Sequence, residues 1–353
     1  MLSVAEATES TASAPHPVLA AVAERLRSAS VPGRRDDGRR VVLAIEGGAM
    51  RGTISAGMAL ELQRMGVLPA FDAVYGSSAG AISATWLLSS RPEGLAGWAE
   101  PAYARALIRA SNLLRRRPMV DVERLVEHVY REIAVLDFDS VLANPIELHP
   151  LATDAATGLS VDLRPLLRTA ADLRLAMRAS SALPVLAGPS IPLGSSRYYD
   201  AGLAESVPYR TAIEQGATHI LVLRSRIEPA CWIPPAAPSR GARMTARTAL
   251  RRETVHLRTT YLARAARLAE DDSFLAGREA DQLSAPAIYS IRPAIEDGEI
   301  GKLTKDGPSL AAALAGGQRA ARRALAGTAG AGYVGDVGDV ADPGNAADRG
   351  AVA

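Results

Sequence analysis

Two glycine-rich clusters constrain this chain most, because each lies between an apolar segment of strand length and a segment with helical spacing. The first, EGGAMRG, occupies residues 46–52 and follows the apolar run Val41–Ile45. The second, GSSAG, occupies residues 76–80 and follows the apolar run Phe71–Tyr75. Glycine tolerates backbone conformations and close contacts that other residues resist, so both clusters predict tight turns from a strand into a helix.

Apolar runs and helical patterns alternate along the middle of the chain. The helices that follow the two clusters are predicted over Thr53–Met65 and Ala79–Leu88. Further apolar runs are Ile146–Leu151, Thr218–Leu223 and Ala287–Ile291, and further helical patterns lie near residues 94–110, 121–133, 170–179, 243–270 and 308–325. This alternation predicts an α/β fold, a three-layer α/β/α sandwich with a mainly parallel central sheet. Ligands in such folds bind at the carboxyl ends of the strands, where both clusters lie.

Composition excludes several classes of protein. A formal net charge of +2 argues against a strongly basic nucleic-acid-binding protein, and an aromatic content of 4% argues against base stacking. The single cysteine, Cys231, cannot form an internal disulfide. No apolar run approaches the roughly 20 residues that span a bilayer. The first residues lack a positive start followed by an apolar segment, so we do not expect a secretory signal. We therefore expect a cytoplasmic protein.

The two ends of the chain differ from its middle. Residues 1–38 combine a polar, turn-like start with the charged stretch PGRRDDGRR and predict a flexible arm. Residues 327–353 are rich in Gly, Ala and Asp with few large apolar side chains, and predict a disordered tail. Residues 39–326 are expected to form one domain, in which residues 225–286 are a variable helical segment that could cover the site.

Three functional interpretations compete for the first cluster, besides a turn that binds nothing. A phosphate loop would need G-x-x-x-x-G-K-[ST], and a dinucleotide fingerprint would need G-x-G-x-x-G; EGGAMRG fits neither. The third interpretation is an oxyanion hole, since free amides at the start of a helix attract negative charge.

The second cluster matches G-x-S-x-G in the strand-to-helix context that this motif requires. It predicts that Ser78 is a nucleophile at a sharp turn, with a purely structural turn as the alternative. Ser77 is a weaker candidate because its offset from Gly80 does not fit the motif.

A serine nucleophile needs a group that accepts its proton. The candidate histidine bases are His149, His219 and His256, but none of them follows a strand in a turn that contains glycine. Asp200, in RYYDAGLAESVP, follows a short apolar strand and precedes a tight turn, which would present its carboxylate at a sheet edge. An aspartate that only caps its own turn is the alternative.

The three sites together resemble the patatin-like phospholipase family, which carries a D/S-G-G-G-x-R-G loop, a G-x-S-x-G serine and a D-G-G/A aspartate in this order. This chain has EGGAMRG, GSSAG and DAG in the same order, and the similarity covers roughly residues 39–326. The resemblance implies a lipid acyl hydrolase that cleaves carboxylic esters with a serine–aspartate dyad and no histidine. It implies Ser78 as nucleophile and Asp200 as base. Because the sequence has no clustered His, Cys or carboxylate residues with ligand spacing, we expect no metal, and we expect no cofactor.

The remaining implied site residues lie in the three turns. They are Gly47, Gly48, Ala49, Arg51 and Gly52 in the oxyanion loop, with the amides of the first three as donors, Gly76 and Gly80 in the nucleophile elbow, and Ala201 and Gly202 after the base.

Three positions depart from the family pattern. Ala49 and Ala201 each replace a glycine, which matters if either position needs a positive φ, and Ser206 stands where the family often has Asn. These departures keep open a catalytically weak or silent lipid-binding or regulatory protein. The same acyl-enzyme could also serve an acyltransferase, and a histidine-triad hydrolase is a further alternative.

A basic helical pattern suggests the partner surface. Residues 239–272 predict one long helix with arginines along one stripe and apolar residues along another, namely Arg240, Arg243, Arg247, Arg251 and Arg258, and Leu257, Tyr261, Ala265 and Leu268. A basic amphipathic helix can lie on anionic lipid, so we expect an acyl-ester substrate and peripheral membrane contact. The alternative is a solvated charged face on a helix that packs on the core.

Overall fold

The computed structural model describes residues 15–109, 111–112, 117–227, 237–297 and 300–326. Cys231 and the predicted tail, residues 327–353, lie outside this part of the chain.

The strands form one mixed sheet. In chain order they are β1 Val41–Ile45, β2 Ala73–Ser77, β3 Glu147–Asp154, β4 Ser160–Asp162, β5 Ile191–Leu193, β6 Ser196–Tyr199, β7 His219–Leu223 and β8 Ala287–Ile291. Their order across the sheet is β5-β6-β3-β2-β1-β7-β8, with β4 paired to β3. The five strands β3, β2, β1, β7 and β8 run parallel, and β4, β5 and β6 add an antiparallel edge.

The helices lie on both faces of the sheet. They are α1 Pro17–Arg27, α2 Gly52–Arg64, α3 Ala79–Leu87, α4 Pro101–Leu107, α5 Val122–Arg124 continued by a π-helix over Leu125–Ile133, α6 Phe138–Leu142, α7 Ala170–Ser180, α8 Tyr209–Glu214, α9 Arg240–Arg247, α10 Val255–Ala280 and α11 Gly307–Leu325. Short 3₁₀ turns cover Ala49–Arg51, Leu68–Ala70, Pro92–Ala99, Arg164–Leu166, Ala201–Leu203 and Ile295–Asp297.

Alternate side chains of β1 point into two separate cores. Val41, Leu43 and Ile45 join the core that also holds residues of α1, α2, α3 and α11. Val42 and Ala44 join the core that holds residues of α8 and α10. A strand buried on both faces must be apolar throughout, which explains the uninterrupted run VVLAI. The fold is therefore the predicted three-layer α/β/α sandwich with a mainly parallel central sheet.

The expected flexible arm does not describe residues 15–38, which pack against the domain. Val18 and Val22 of α1 are completely buried, and α1 contacts β7 and β8. Arg25, which is 2% exposed, lies 2.7 Å from the carboxylate of Asp37 and 2.9 Å from that of Asp72. Arg35 and Asp37 of the charged stretch thus pair with Asp72 and Arg25 instead of projecting into water.

The predicted long basic helix is two helices. Chain direction changes between α9 and α10, where Leu250 is buried and the side chain of Thr254 accepts a hydrogen bond from the amide of Leu257. Both helices pack on one apolar cluster, formed by Ala155, Tyr199 and Leu203 with residues of α9 and α10. A continuous helix from Ala242 to Tyr261 would spread these side chains over about 29 Å, at 1.5 Å per residue, whereas the two helices bring them onto one cluster. None of the helices in the described part of the chain is long and apolar enough to cross a membrane.

Candidate active site

The turn between β2 and α3 holds Ser78 in a conformation that few side chains adopt. Its φ is 54° and its ψ is −120°, which costs of order 1–3 kcal/mol and is typical of functional turns. The flanking glycines allow the close packing: a Cβ on Gly80 would lie 2.2 Å from the carbonyl oxygen of Ile45, and one on Gly76 would lie 2.5 Å from the Cα of Ala81. The elbow therefore needs both glycines for space, while Ser78 carries the strain.

Asp200 meets Ser78 at the carboxyl edge of the sheet. The Oγ of Ser78 donates a hydrogen bond to Oδ2 of Asp200 at 2.7 Å. The other carboxylate oxygen, Oδ1, accepts from the amide of Gly202 at 2.8 Å. The backbone of Asp200 is fixed as well, because its carbonyl accepts from Oγ1 of Thr153 at 2.8 Å and its amide donates to the carbonyl of Ala182 at 3.1 Å. The carboxylate thus has one defined orientation.

Burial changes the acidity of Asp200, which is only 6% exposed. Loss of water raises its pKa from 3.8 to about 6, although the hydrogen bonds from Ser78 and Gly202 and the charge of Lys302 act in the opposite direction. A carboxylate with this pKa is still ionised at neutral pH, and it is a stronger base than an exposed aspartate.

The loop between β1 and α2 contacts the elbow directly. A Cβ on Gly47 would lie 3.1 Å from the Cβ of Ser78 and 2.7 Å from the carbonyl oxygen of Ser77. The amide of Met50, further along the loop, donates to the carbonyl of Lys302 at 3.2 Å. At its end, a Cβ on Gly52 would lie 2.7 Å from that of Ala79, so α2 and α3 begin side by side.

The three predicted oxyanion donors do not have the same environment. The amide of Gly47 donates to the carbonyl of Ser206 at 3.1 Å, so Gly47 is not an open donor and this part of the prediction is corrected. Within the described residues, the amides of Gly48 and Ala49 have no hydrogen-bond acceptor. Two of the three predicted donors, instead of all three, therefore have an amide without an acceptor in the described part of the chain.

The two alanine departures have different outcomes. Ala49 has a φ of 53°, so this position does have the left-handed conformation for which the family pattern uses glycine. Ala201 has no positive φ; it begins a 3₁₀ turn with its side chain completely buried. Gly202 is the residue without room for a side chain, because a Cβ there would lie 2.9 Å from Oδ1 of Asp200.

The patatin-like phospholipase family model matches residues 43–213. These residues form a patatin-like domain. The matched span contains all three turns and both Ser78 and Asp200. It ends before β7, so the helices α9, α10 and α11 lie outside it.

A curated relative of the patatin-like domain is the uncharacterized protein YjjU of Escherichia coli strain K12. The alignment of 201 residues is 28% identical and covers 53% of this chain and 52% of YjjU. The chain thus matches about half the length of that relative.

A buried charge cluster next to the first glycine-rich loop was not predicted from the sequence. Glu46 accepts hydrogen bonds from Nε of Arg224 at 2.9 Å, from Nε of Arg226 at 2.8 Å and from the amide of Ser225 at 2.8 Å. Burial raises the pKa of Glu46, but the charges of Arg224 and Arg226 outweigh it and lower the pKa to about 2. The sequence signal for these ion pairs was weak, because the arginine partners of Glu46 lie 178 and 180 residues further along the chain. The one local sign was an acidic residue at the start of EGGAMRG.

Two further polar residues hold the backbones of Ser78 and Asp200, and neither was predicted. Ser180, at the end of α7, accepts a hydrogen bond from the amide of Ser78 at 2.9 Å. Thr153, at the end of β3, holds the carbonyl of Asp200. Both residues lie near the end of a strand or helix at the carboxyl ends of the parallel strands. Polar residues at such positions are the sequence signal that could have predicted their role.

The histidine alternative has no support in this geometry. All five histidines lie in the described ranges, and none of them shares a hydrogen bond with Ser78. His149 is buried against Asp162, with 2.7 Å between Nδ1 and Oδ2. His219 opens β7 at the opposite edge of the sheet, and His256 is exposed on α10.

Arg51 is the basic residue of the first glycine-rich loop. Arg51 ends the 3₁₀ turn of the oxyanion loop, is partly exposed and lies close enough to Lys302 for its charge to lower the pKa of that lysine, which burial also lowers. Among the described residues, no group of three or more His, Cys, Asp and Glu side chains is placed to hold a metal ion.

Proposed function

We propose that this protein hydrolyses carboxylic esters of lipids through an acyl-enzyme on Ser78. The observation that carries the proposal is the 2.7 Å hydrogen bond from the Ser78 hydroxyl to a buried carboxylate whose pKa is raised to about 6. A hydroxyl held against a base in this way is the arrangement that activates a serine.

In the proposed first step, Oγ of Ser78 attacks the ester carbonyl carbon while its proton passes to Oδ2 of Asp200. The amides of Gly48 and Ala49 stabilise the oxyanion of the tetrahedral intermediate, and each such donor contributes roughly 10²–10³-fold to turnover. The C–O bond to the alcohol then breaks, and the proton on Asp200 goes to the leaving oxygen. The acyl group remains on Ser78 as an ester.

In the second step, a water molecule gives a proton to Asp200 and its oxygen attacks the acyl-enzyme. The Ser78–acyl bond breaks, Ser78 regains its proton and the carboxylic acid leaves. Ser180 and Thr153 act as positioning residues in this scheme, because they hold the backbones of Ser78 and Asp200. We propose further that the substrate is met at a membrane surface, where phospholipid or acylglycerol esters reside.

The loop conformation favours an active enzyme over the silent alternative. Ala49 adopts the positive φ that a glycine would adopt, so the loop keeps its turn despite the substitution. Transfer of the acyl group to an acceptor other than water would use the same intermediate.

The test is labelling of the purified protein with a fluorophosphonate probe, followed by mass spectrometry of the labelled peptide. We expect the label on Ser78, with no label on Ser78→Ala and full label on the control Ser77→Ala, whose hydroxyl is buried against the carbonyl of Glu205. Equal labelling of Ser78→Ala would overturn the proposal. Turnover of a panel of acyl esters, with and without an added alcohol, then separates hydrolysis from acyl transfer.

A further inference from the structure

The helix α9 and the turn that follows it carry an unusually high positive charge. Residues 240–258 contain six arginines and a single acidic residue, Glu253. Five of these arginines are exposed, namely Arg240, Arg243, Arg247, Arg251 and Arg252. We call these five residues, together with Met244 and Val255, the basic surface.

Neighbouring acidic residues do not neutralise the basic surface. Within the described ranges, none of its arginines forms an ion pair, and Arg243 only donates to the backbone carbonyl of Pro238 at 2.9 Å. The one acidic residue, Glu253, is engaged elsewhere, because its Oε1 accepts a hydrogen bond from the hydroxyl of Tyr199 at 2.8 Å. The positive charge is therefore available to a partner outside the protein.

Large apolar side chains accompany this charge. Met244 is 63% exposed and Val255 is 59% exposed. A third, Leu159, is 65% exposed in a turn that Thr260 of α10 holds through a 2.9 Å hydrogen bond to the carbonyl of Gly158. Arginines interleaved with exposed apolar side chains are typical of helices that lie in the headgroup layer of a bilayer.

The basic surface is attached to the same edge of the sheet as the candidate active site. Ala242, Ala246 and Leu250 pack on Ala155 and Tyr199, which follow β3 and end β6. Tyr199 directly precedes Asp200, and its hydroxyl is the group that binds Glu253. A bilayer on the basic surface would therefore lie at the edge that carries Ser78.

We propose that the basic surface docks on bilayers of anionic lipid and so brings the active site to its substrate. The choice of a lipid partner rests on the proposed function; the charge and the exposed apolar residues stand without it. Each arginine near an anionic bilayer strengthens binding about fivefold, and the effect weakens with salt.

The test uses the full-length Ser78→Ala protein, so that binding is measured without turnover. Co-sedimentation is compared for phosphatidylcholine vesicles with and without phosphatidylglycerol. We expect binding only to the anionic vesicles, and a decrease in binding when salt is added. Adding Arg243→Glu and Arg247→Glu should weaken this binding by about tenfold or more.

The matched control carries the same change of charge at the opposite edge of the sheet, as Arg27→Glu with Arg34→Glu, two exposed arginines at and after the end of α1. This control should bind anionic vesicles like its parent, and melting temperatures check that both variants fold. Equal losses in the two variants, equal binding to neutral and anionic vesicles, or binding to heparin without binding to vesicles would each overturn the proposal.

Failure of this proposal is distinguishable from failure of the proposed function. Turnover of a water-soluble short-chain ester by the protein with Ser78 intact reports on the active site and needs no bilayer. Vesicle binding by Ser78→Ala reports on the basic surface and needs no turnover.

Discussion

The carboxylate of Glu46 and the guanidinium of Arg224 lie 2.9 Å apart, almost completely buried below the loop that carries the amides of Gly48 and Ala49. Glu46 directly follows β1, and Arg224 directly follows β7, the strand that pairs with β1. Arg226 and Asp272 extend the cluster. The oxyanion loop thus rests on paired charges that tie β1 to β7.

Replacing Glu46 with Gln should destabilise the protein strongly, because Arg224 would lose a charged partner in a buried site. Since the folded pKa of Glu46 is about 2 and its ordinary value is 4.5, its ionisation stabilises the fold by about 3 kcal/mol above pH 4.5. This stability is lost as the pH falls from 4.5 towards 2. Denaturant melts at neutral and acidic pH measure the difference.

The control for this change is Glu24→Gln, which removes the carboxylate of an exposed pair with Arg39. We expect little change in stability there, because water screens exposed pairs. Equal effects of Glu46→Gln and Glu24→Gln would contradict the structural role of the buried cluster.

Ester hydrolysis should depend on pH through Asp200. In the proposed mechanism the ionised carboxylate is the base. Since its pKa is about 6, kcat/KM should fall by about tenfold from pH 8 to pH 5. The pH–rate profile of a soluble ester measures this. Asp271, a buried carboxylate on α10 whose pKa burial also raises to about 6, provides the control. Asp271→Asn should keep the inflection of the pH–rate profile. Loss of the inflection in that variant would show that it belongs to Asp271 and not to Asp200.

Position 49 should tolerate glycine and reject a β-branched residue. Ala49→Gly removes about 1 kcal/mol of left-handed strain but adds a similar entropy to the unfolded chain, so stability should change by less than about 1 kcal/mol. Ala49→Val should distort the loop and lower kcat by up to about 10²-fold, because an oxyanion donor moves. Steady-state kinetics of both variants test this; full activity of Ala49→Val would exclude a role for the loop.

Gly80 should be irreplaceable for steric reasons. A Cβ there would lie 2.2 Å from the carbonyl oxygen of Ile45, so Gly80→Ala should destabilise the protein by about 1–3 kcal/mol. Gly277→Ala is the matched control, since a Cβ on this exposed glycine of α10 meets nothing within 4 Å. It should stabilise the protein by about 0.5–1 kcal/mol through higher helix propensity. Thermal melts of the two variants should therefore shift in opposite directions.

Local sequence patterns predicted the central elements well. The run Val41–Ile45 is β1, because a strand buried on both faces must be apolar throughout, and the run Ala287–Ile291 is β8. The prediction of one long basic helix was wrong, because the sequence pattern did not show that the chain breaks into two helices around the buried Leu250. The flexible arm was wrong for residues 15–38 because Arg25 and Arg35 pair with Asp72, far away in sequence.

The sequence by itself determined the alternation of strands and helices and the two sharp turns, since local sterics and hydrophobic periodicity act over a few residues. Only the tertiary structure decided that Ser78 and Asp200, 122 residues apart, share a hydrogen bond, and that the amide of Gly47 is already engaged. It also decided the pKa of Asp200, because burial removes water from a carboxylate only when distant segments pack around it.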